Sequence, residues 1–129
     1  SLYVDGGPGS TGTAGFLRMD GKEVFRQAVT LMASAVETAV ADNGMSLSDI
    51  DWLVPHQANI RIIDGISQRL GVASERVVVT VQEQANTSAA TIPLALAAAQ
   101  DDDRIHPGDI VALCALGGGF SWGSALIRW

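Results

Sequence analysis

Cysteine and histidine are almost missing from this chain of 129 residues: there is one cysteine, Cys114, and two histidines, His56 and His106. A single cysteine excludes an internal disulfide, and so few ligating side chains at these separations match no zinc-finger spacing, so no metal site is expected. No apolar run reaches the ~18 to 20 residues of a membrane span, and no charged segment followed by an apolar one opens the chain. A soluble, cytoplasmic chain without a membrane partner is the expectation. Basic residues are also scarce: eight Lys and Arg face fourteen Asp and Glu, for a formal charge of -6. Such a surface repels phosphate overall and argues against nucleic acid as a partner.

What is abundant is apolar: 47% of residues are hydrophobic and only 17% charged, enough for one domain around one core. There is no internal repeat and no low-complexity tract. Asp101-Asp102-Asp103 reads as a solvated helix end, because adjacent carboxylates without further ligands at loop spacing make a poor calcium site. Lys22 and Arg26 lie one helical turn apart, and Arg61 and Arg69 fall on a second predicted helix. These four form either solvated helix faces or a docking patch for an acidic partner.

The order of elements follows from periodicity and punctuation. Leu2-Tyr3-Val4 reads as a short strand, residues 6–12 as a glycine-rich loop, and Phe16 to Met19 as extended. Val24, Phe25, Ala28, Leu31, Met32, Ala35, Val36 and Ala39 recur at three-four spacing, predicting a long amphipathic helix that ends at Asn43-Gly44. Ser46 to Ile50 predicts a short helical turn. Trp52-Leu53-Val54 is a strand stopped by Pro55, and Ile60, Ile63, Ile66 and Leu70 mark a second helix closed by Gly71. Val77 to Val81 reads as a β-branched strand buried on both faces, with parallel neighbours. Thr87 to Ala99, apolar or small nearly all round, reads as a helix between two layers with a bend near Pro93. Ile110 to Leu116 and Ser124 to Trp129 form a terminal antiparallel pair around Gly117-Gly118-Gly119. The alternation predicts an α/β sheet covered by helices, with a site outside the carboxyl ends of its strands.

Two side chains stand where that site would be. His56 directly follows the strand stopped by Pro55; a histidine there is either a hydrogen-bonded structural residue or a catalytic one. Asn86 is either an N-cap or a ligand-facing amide. Their combination with the glycine triplet sharpens the functional reading, because both side chains can donate to one oxygen and bare glycine backbone offers N–H groups to an oxyanion. Gly119-Phe120-Ser121-Trp122-Gly123 spells the G-x-S-x-G elbow of serine hydrolases, but that motif needs a helix after the serine and an acid and a histidine beyond it, and neither follows. The triplet also lacks the third glycine of a dinucleotide fingerprint. Cys114 lies inside an apolar strand run with no cation beside it, which predicts a packed, inert thiol.

Four stretches together resemble the C-terminal half of β-ketoacyl-acyl carrier protein synthase III, a condensing-enzyme family of the thiolase superfamily. They are Gly21 to Phe25, Asp51 to Asn59, Asn86 to Ala90 with Ile92 to Leu96, and Gly117 to Leu126. The resemblance implies half of a thiolase-like fold across residues 1–129: a mixed, mainly parallel sheet with helices on both faces and a C-terminal antiparallel hairpin. The half carrying the nucleophilic cysteine is then outside this chain. It implies an acyltransferase that initiates fatty acid biosynthesis by decarboxylative Claisen condensation of acyl-CoA with malonyl-acyl carrier protein. The chain by itself is expected to be inactive.

By that resemblance His56 and Asn86 hold the malonyl thioester oxygen, and the Gly118 N–H serves the oxyanion hole of the acylated cysteine. Asn59, Phe25 and Gly21 line the substrate tunnel, while Arg61 and Arg26 dock the carrier protein. No cofactor of the protein's own is implied, since the substrates carry coenzyme A or phosphopantetheine, and a homo-oligomer is expected. Two positions depart from the family pattern: Ala85 stands where a glycine usually precedes the asparagine, and Leu116 replaces the phenylalanine before the triplet. A related Cys-His-Asn condensing enzyme of secondary metabolism and a non-catalytic carrier-binding domain are the alternative readings.

Overall fold

Asp20 sets the start of the longest helix: its backbone is extended and its carboxylate accepts the Glu23 N–H at 3.1 Å, satisfying a donor of the first turn. From there α1 (Gly21–Asp42) buries Val24, Ala28, Met32, Val36 and Val40, a stripe repeating every four residues. It ends at Asn43, after which Gly44 takes a left-handed φ of +66°. The computed structural model describes residues 2–7 and 9–129, so the glycine-rich loop is described except at Pro8, and Ser1 also lies outside the described residues. Ahead of α1, β1 (Leu2–Val4) pairs antiparallel with β2 (Leu17–Met19) as a separate two-stranded ribbon.

Three further strands make the main sheet, in the order β3 (Trp52–Pro55), β4 (Ile110–Gly117), β5 (Ser121–Arg128). β3 runs parallel to β4, with Leu53 opposite Ala112, and β4 runs antiparallel to β5, with Ala112 opposite Leu126. Alternation along the strands sends side chains to two cores. Leu53, Ala112, Cys114 and Leu116 pack with α1 and with Ile62, Ile63 and Ile66 of α2 (Ile60–Leu70). Val54 and Val111 face the other way and pack against Ala95 and Ala99 of α4 (Thr91–Asp101). Helices thus cover both faces of a mixed sheet. Where α1 and α2 cross, Gly65 is required, since a Cβ there would lie 2.8 Å from Val29 Cγ2.

Three expectations need correction. Val77 to Val81 is not a strand: Val77 makes one isolated parallel bridge to Leu53, and residues from Val81 turn into the short helix α3 (Val81–Gln84). The Gln57 side chain takes the place of the missing ladder. Wholly buried, it donates from Nε2 to the Pro55 and Val78 carbonyls (2.8 and 3.1 Å), and its Oε1 accepts the Thr80 N–H at 2.8 Å. A β-branched run is therefore held beside β3 by a side-chain amide, and the sheet has one parallel pairing rather than two.

The apolar helix begins at Thr91, after a turn of 3-10 helix at Ser88–Ala90, so Pro93 falls in its first turn, where no intrahelical N–H bond is lost and no bend is needed. Only Thr91, Ala95 and Ala99 of α4 are buried, while Pro93, Leu94 and Ala97 are exposed, so within the described residues the helix has one covered face. The last strand starts at Ser121, earlier than the pattern suggested, because the turn consumes only Gly118, Gly119 and Phe120. Ser121 is consequently followed by a strand, and the hydrolase elbow is excluded by geometry as well as by composition.

Candidate active site

A cleft of about 1250 Å³ opens where the carboxyl end of β3, the glycine corner, the first turns of α1 and the β1–β2 ribbon meet. Both His56 and Asn86 line it. So do Gly118, Asn59, Phe25, Gly21 and Arg61. Of the candidate residues only Arg26 stays outside the lining: it is exposed on α1 and pairs with Glu23 at 2.9 Å. The arrangement follows from the fold, because parallel strands end on one edge and the segments leaving them converge there.

His56 is held by backbone and ring. Its N–H extends the β3–β4 ladder by donating to the Cys114 carbonyl at 2.7 Å. Its Nδ1 lies 2.5 Å from the Thr91 hydroxyl, leaving Nε2 without a partner among the described residues. The ring is half-buried, and that burial alone holds its pKa below the usual 6.5, favouring neutral imidazole. Asn86 is not the N-cap of α4. Its Oδ1 accepts the Ser88 N–H at 2.9 Å, an Asx-type turn that occupies the oxygen and leaves the NH₂ without a partner among the described residues. One short segment, residues 86–91, therefore touches both candidate donors: through Ser88 for the asparagine, through Thr91 for the histidine.

That segment is reached through Ala85, whose φ of +58° and ψ of -168° fall in a region that glycine adopts without cost and alanine does not. The departure noted in the sequence thus falls at a position where glycine's freedom is needed. Leu116, the other departure, is buried and lines the cleft below the glycines.

Asn59 has a structural task already: its Oδ1 caps α2 by accepting the Ile62 N–H at 3.0 Å, so only its NH₂ is left for a ligand. At the rim, the Arg61 guanidinium sits 5.9 Å from the Phe25 ring centre, a cation–π contact tying α2 to α1. Cys114 is buried, and desolvation pushes its thiol up to about 12, which removes it as a nucleophile at neutral pH. No cluster of three ligating side chains that could hold a metal occurs among the described residues.

Sequence reasoning missed two contributors. Leu2, Val4, Leu17 and Met19 of the ribbon form one wall of the cleft, although their pattern said only that they were extended. Thr91 heads α4, where the pattern marks it only as part of an apolar run. A hydroxyl residue inside such a run was the available signal, but nothing local connected it to a histidine 35 residues away.

Fold and cleft together define half of a thiolase-like α/β architecture. The chain belongs to the family of 3-oxoacyl-[acyl-carrier-protein] synthase III C-terminal domains, whose description matches residues 40–129. It is 60% identical over 128 residues to the β-ketoacyl-[acyl-carrier-protein] synthase III of Rhizobium meliloti, covering 99% of this chain and 40% of that protein. Among solved structures, 3-oxoacyl-(acyl carrier protein) synthase III from Pseudomonas aeruginosa superposes with a TM-score of 0.91 at 41% identity, over 99% of this chain and 39% of that one. The synthase III from Thermus thermophilus gives 0.89 at 44% identity, over 99% and 41%. The chain spans about two fifths of the length of the curated relatives it matches.

Proposed function

We propose that this chain is the malonyl-activating half of a β-ketoacyl-acyl carrier protein synthase III, the condensing acyltransferase that initiates fatty acid biosynthesis, with the acyl-accepting cysteine supplied by a second half outside residues 1–129. The observation that carries the reading is the presence of His56 and Asn86 on one cleft, with His56 Nδ1 and Asn86 Oδ1 hydrogen-bonded and His56 Nε2 and the Asn86 NH₂ without partners among the described residues. When malonyl-acyl carrier protein loses carbon dioxide, the electron pair of the broken C–C bond moves into the thioester as an enolate, and negative charge collects on oxygen. His56 Nε2–H and Asn86 Nδ2–H donate to that oxygen. Two preorganised donors in a partly dry site stabilise such a charge by several kcal/mol, about 3 each. The enolate carbon then attacks the acyl thioester formed from acyl-CoA. The cysteine thiolate leaves, and the Gly118 N–H supports the oxyanion of the tetrahedral intermediate.

Asn59, Phe25 and Gly21 contact the pantetheine arm and tunnel wall, and Arg61 and Arg26 face the acidic carrier. The protein needs no cofactor of its own, works in the cytoplasm and forms a homo-oligomer. No helix of the described residues is long and apolar enough to cross a membrane. The exposed apolar face of α4, with Pro93, Leu94 and Ala97, is the surface on which the second half or a second copy packs. The isolated chain is expected to self-associate and to make no ketoacyl product. A clean monomer in sedimentation at high concentration, or product formed by the purified chain, would count against these statements.

The deciding experiment is His56→Ala in the complete protein. Loss of malonyl decarboxylation with cysteine acylation retained supports the condensing reading. Full decarboxylation by the variant sinks it and leaves the non-catalytic carrier-binding domain. A Cys-His-Asn enzyme of secondary metabolism would share the His56 result and differ in the acyl primers it accepts.

A further inference from the structure

The Thr91 hydroxyl has one proton and two acceptors within reach, His56 Nδ1 at 2.5 Å and the Ser88 carbonyl at 3.0 Å. Where that proton points decides the chemistry of the ring. If it goes to Ser88, Thr91 must accept from Nδ1–H, and a neutral His56 then turns a bare Nε2 lone pair toward the cleft. If it goes to Nδ1, the ring proton resides on Nε2 and is available to a ligand. Three observations favour the second arrangement. The Ser88 carbonyl already accepts the Thr91 backbone N–H, so it is not orphaned when the hydroxyl turns away. The ring nitrogen is the nearer of the two acceptors. Thr91 is 1% exposed, so water does not compete for the hydroxyl.

We propose that Thr91 is a positioning residue for His56: its buried hydroxyl donates to Nδ1 and fixes the imidazole as the Nε2–H tautomer. The proposal rests on the reading of His56 as a donor to the malonyl thioester oxygen, since only that tautomer of the neutral ring can donate there. Helix α4 then has a chemical task besides packing. Its first residue selects which face of the histidine is acidic, while the segment leading into it turns the amide of Asn86.

The test uses the complete protein labelled with ¹⁵N-histidine, the His56 signal being assigned by its loss in His56→Gln. Imidazole nitrogen shifts and their couplings to ring protons distinguish the tautomers directly. Wild type is expected to show the Nε2–H form. Thr91→Val, which keeps shape but removes the hydroxyl, is expected to show mixed tautomers and a kcat for malonyl decarboxylation lower by about 10-fold to 100-fold, the usual range for loss of an orienting partner. KM for the malonyl thioester should change little, and Thr91→Ser should restore both tautomer and rate. A pure Nε2–H signal in Thr91→Val, or a Thr91→Ser variant as impaired as Thr91→Val, overturns the proposal. The reading beneath it fails separately: if His56→Ala decarboxylates normally, His56 is no donor whatever its tautomer. If His56→Ala is inactive while Thr91→Val keeps wild-type tautomer and rate, only the role of Thr91 is lost.

Discussion

His56 leaves a strand whose ladder continues into its own backbone, beside a neighbour, Gln57, that is wholly buried and fully bonded. Asn86 instead rises from an irregular stretch in which Ala85 and Ser88 both take positive φ and every residue from 85 to 90 is exposed. His56 is placed by the sheet; Asn86 is placed by a single Asx turn and a tolerated backbone distortion. On the proposed reading, in which both side chains donate to one oxygen, one is fixed on rigid structure and the other is held by local side-chain bonds. The second then inherits the weaknesses of its loop.

The sharpest way to break this comparison is to delete each donor in the complete protein. His56→Ala should lower the kcat of malonyl decarboxylation by about 10³-fold and Asn86→Ala by about 10²-fold, the range for loss of an oxyanion donor, with acylation of the cysteine unchanged in both. Steady-state rates with a malonyl thioester, measured beside thioester formation from acyl-CoA, check it. Next comes support on the rigid side. Gln57→Leu orphans the buried Thr80 N–H and two carbonyls and should destabilise by about 3 kcal/mol, seen as a lower urea midpoint, whereas Asn86→Ala should move that midpoint little. On the irregular side the sign reverses. Ala85→Gly relieves the strained φ and should stabilise by about 1 kcal/mol after the entropy of glycine is set against it.

The smallest effect is in pH. Burial depresses the folded-state pKa of His56, so the unfolded chain binds its proton more readily. Stability from this group is therefore present above the usual histidine value and is lost as pH falls below it. Denaturation midpoints followed from neutral pH into that range should fall more steeply for wild type than for His56→Gln. Equal slopes would show that the ring is not desolvated.

How far the sequence could be read differs between the same two regions. The stripe of α1, the glycine that closes α2 and the place of β3 were legible because each depends on neighbours within a few positions, but Pro55 does not stop the strand: it is paired opposite Cys114 and the ladder runs on to the His56 N–H, since the lost proline N–H lies on the other edge. Val77 to Val81 was not, since a β-branched run looks the same whether its ladder is completed by a strand or by the amide of Gln57. The start of α4 is illegible for a related reason: Asn86 looks like a cap, but its oxygen serves Ser88, and the helix starts five residues later. The shared cleft of His56 and Asn86 followed from chemistry carried by the resemblance. The link from His56 to Thr91 depends on tertiary packing that no local pattern records.

β4 occupies the middle of the main sheet, yet it is encoded long after β3; Asp51 and Ile110, joined by hydrogen bonds at the start of that pairing, are 59 residues apart. At ~5 to 20 residues per second, a ribosome needs about 3 to 12 s to cross that interval. During that time the nascent helices α1 and α2 display apolar flanks with no central strand to rest on. This stretch of polypeptide is thus born dependent on a segment still to be translated.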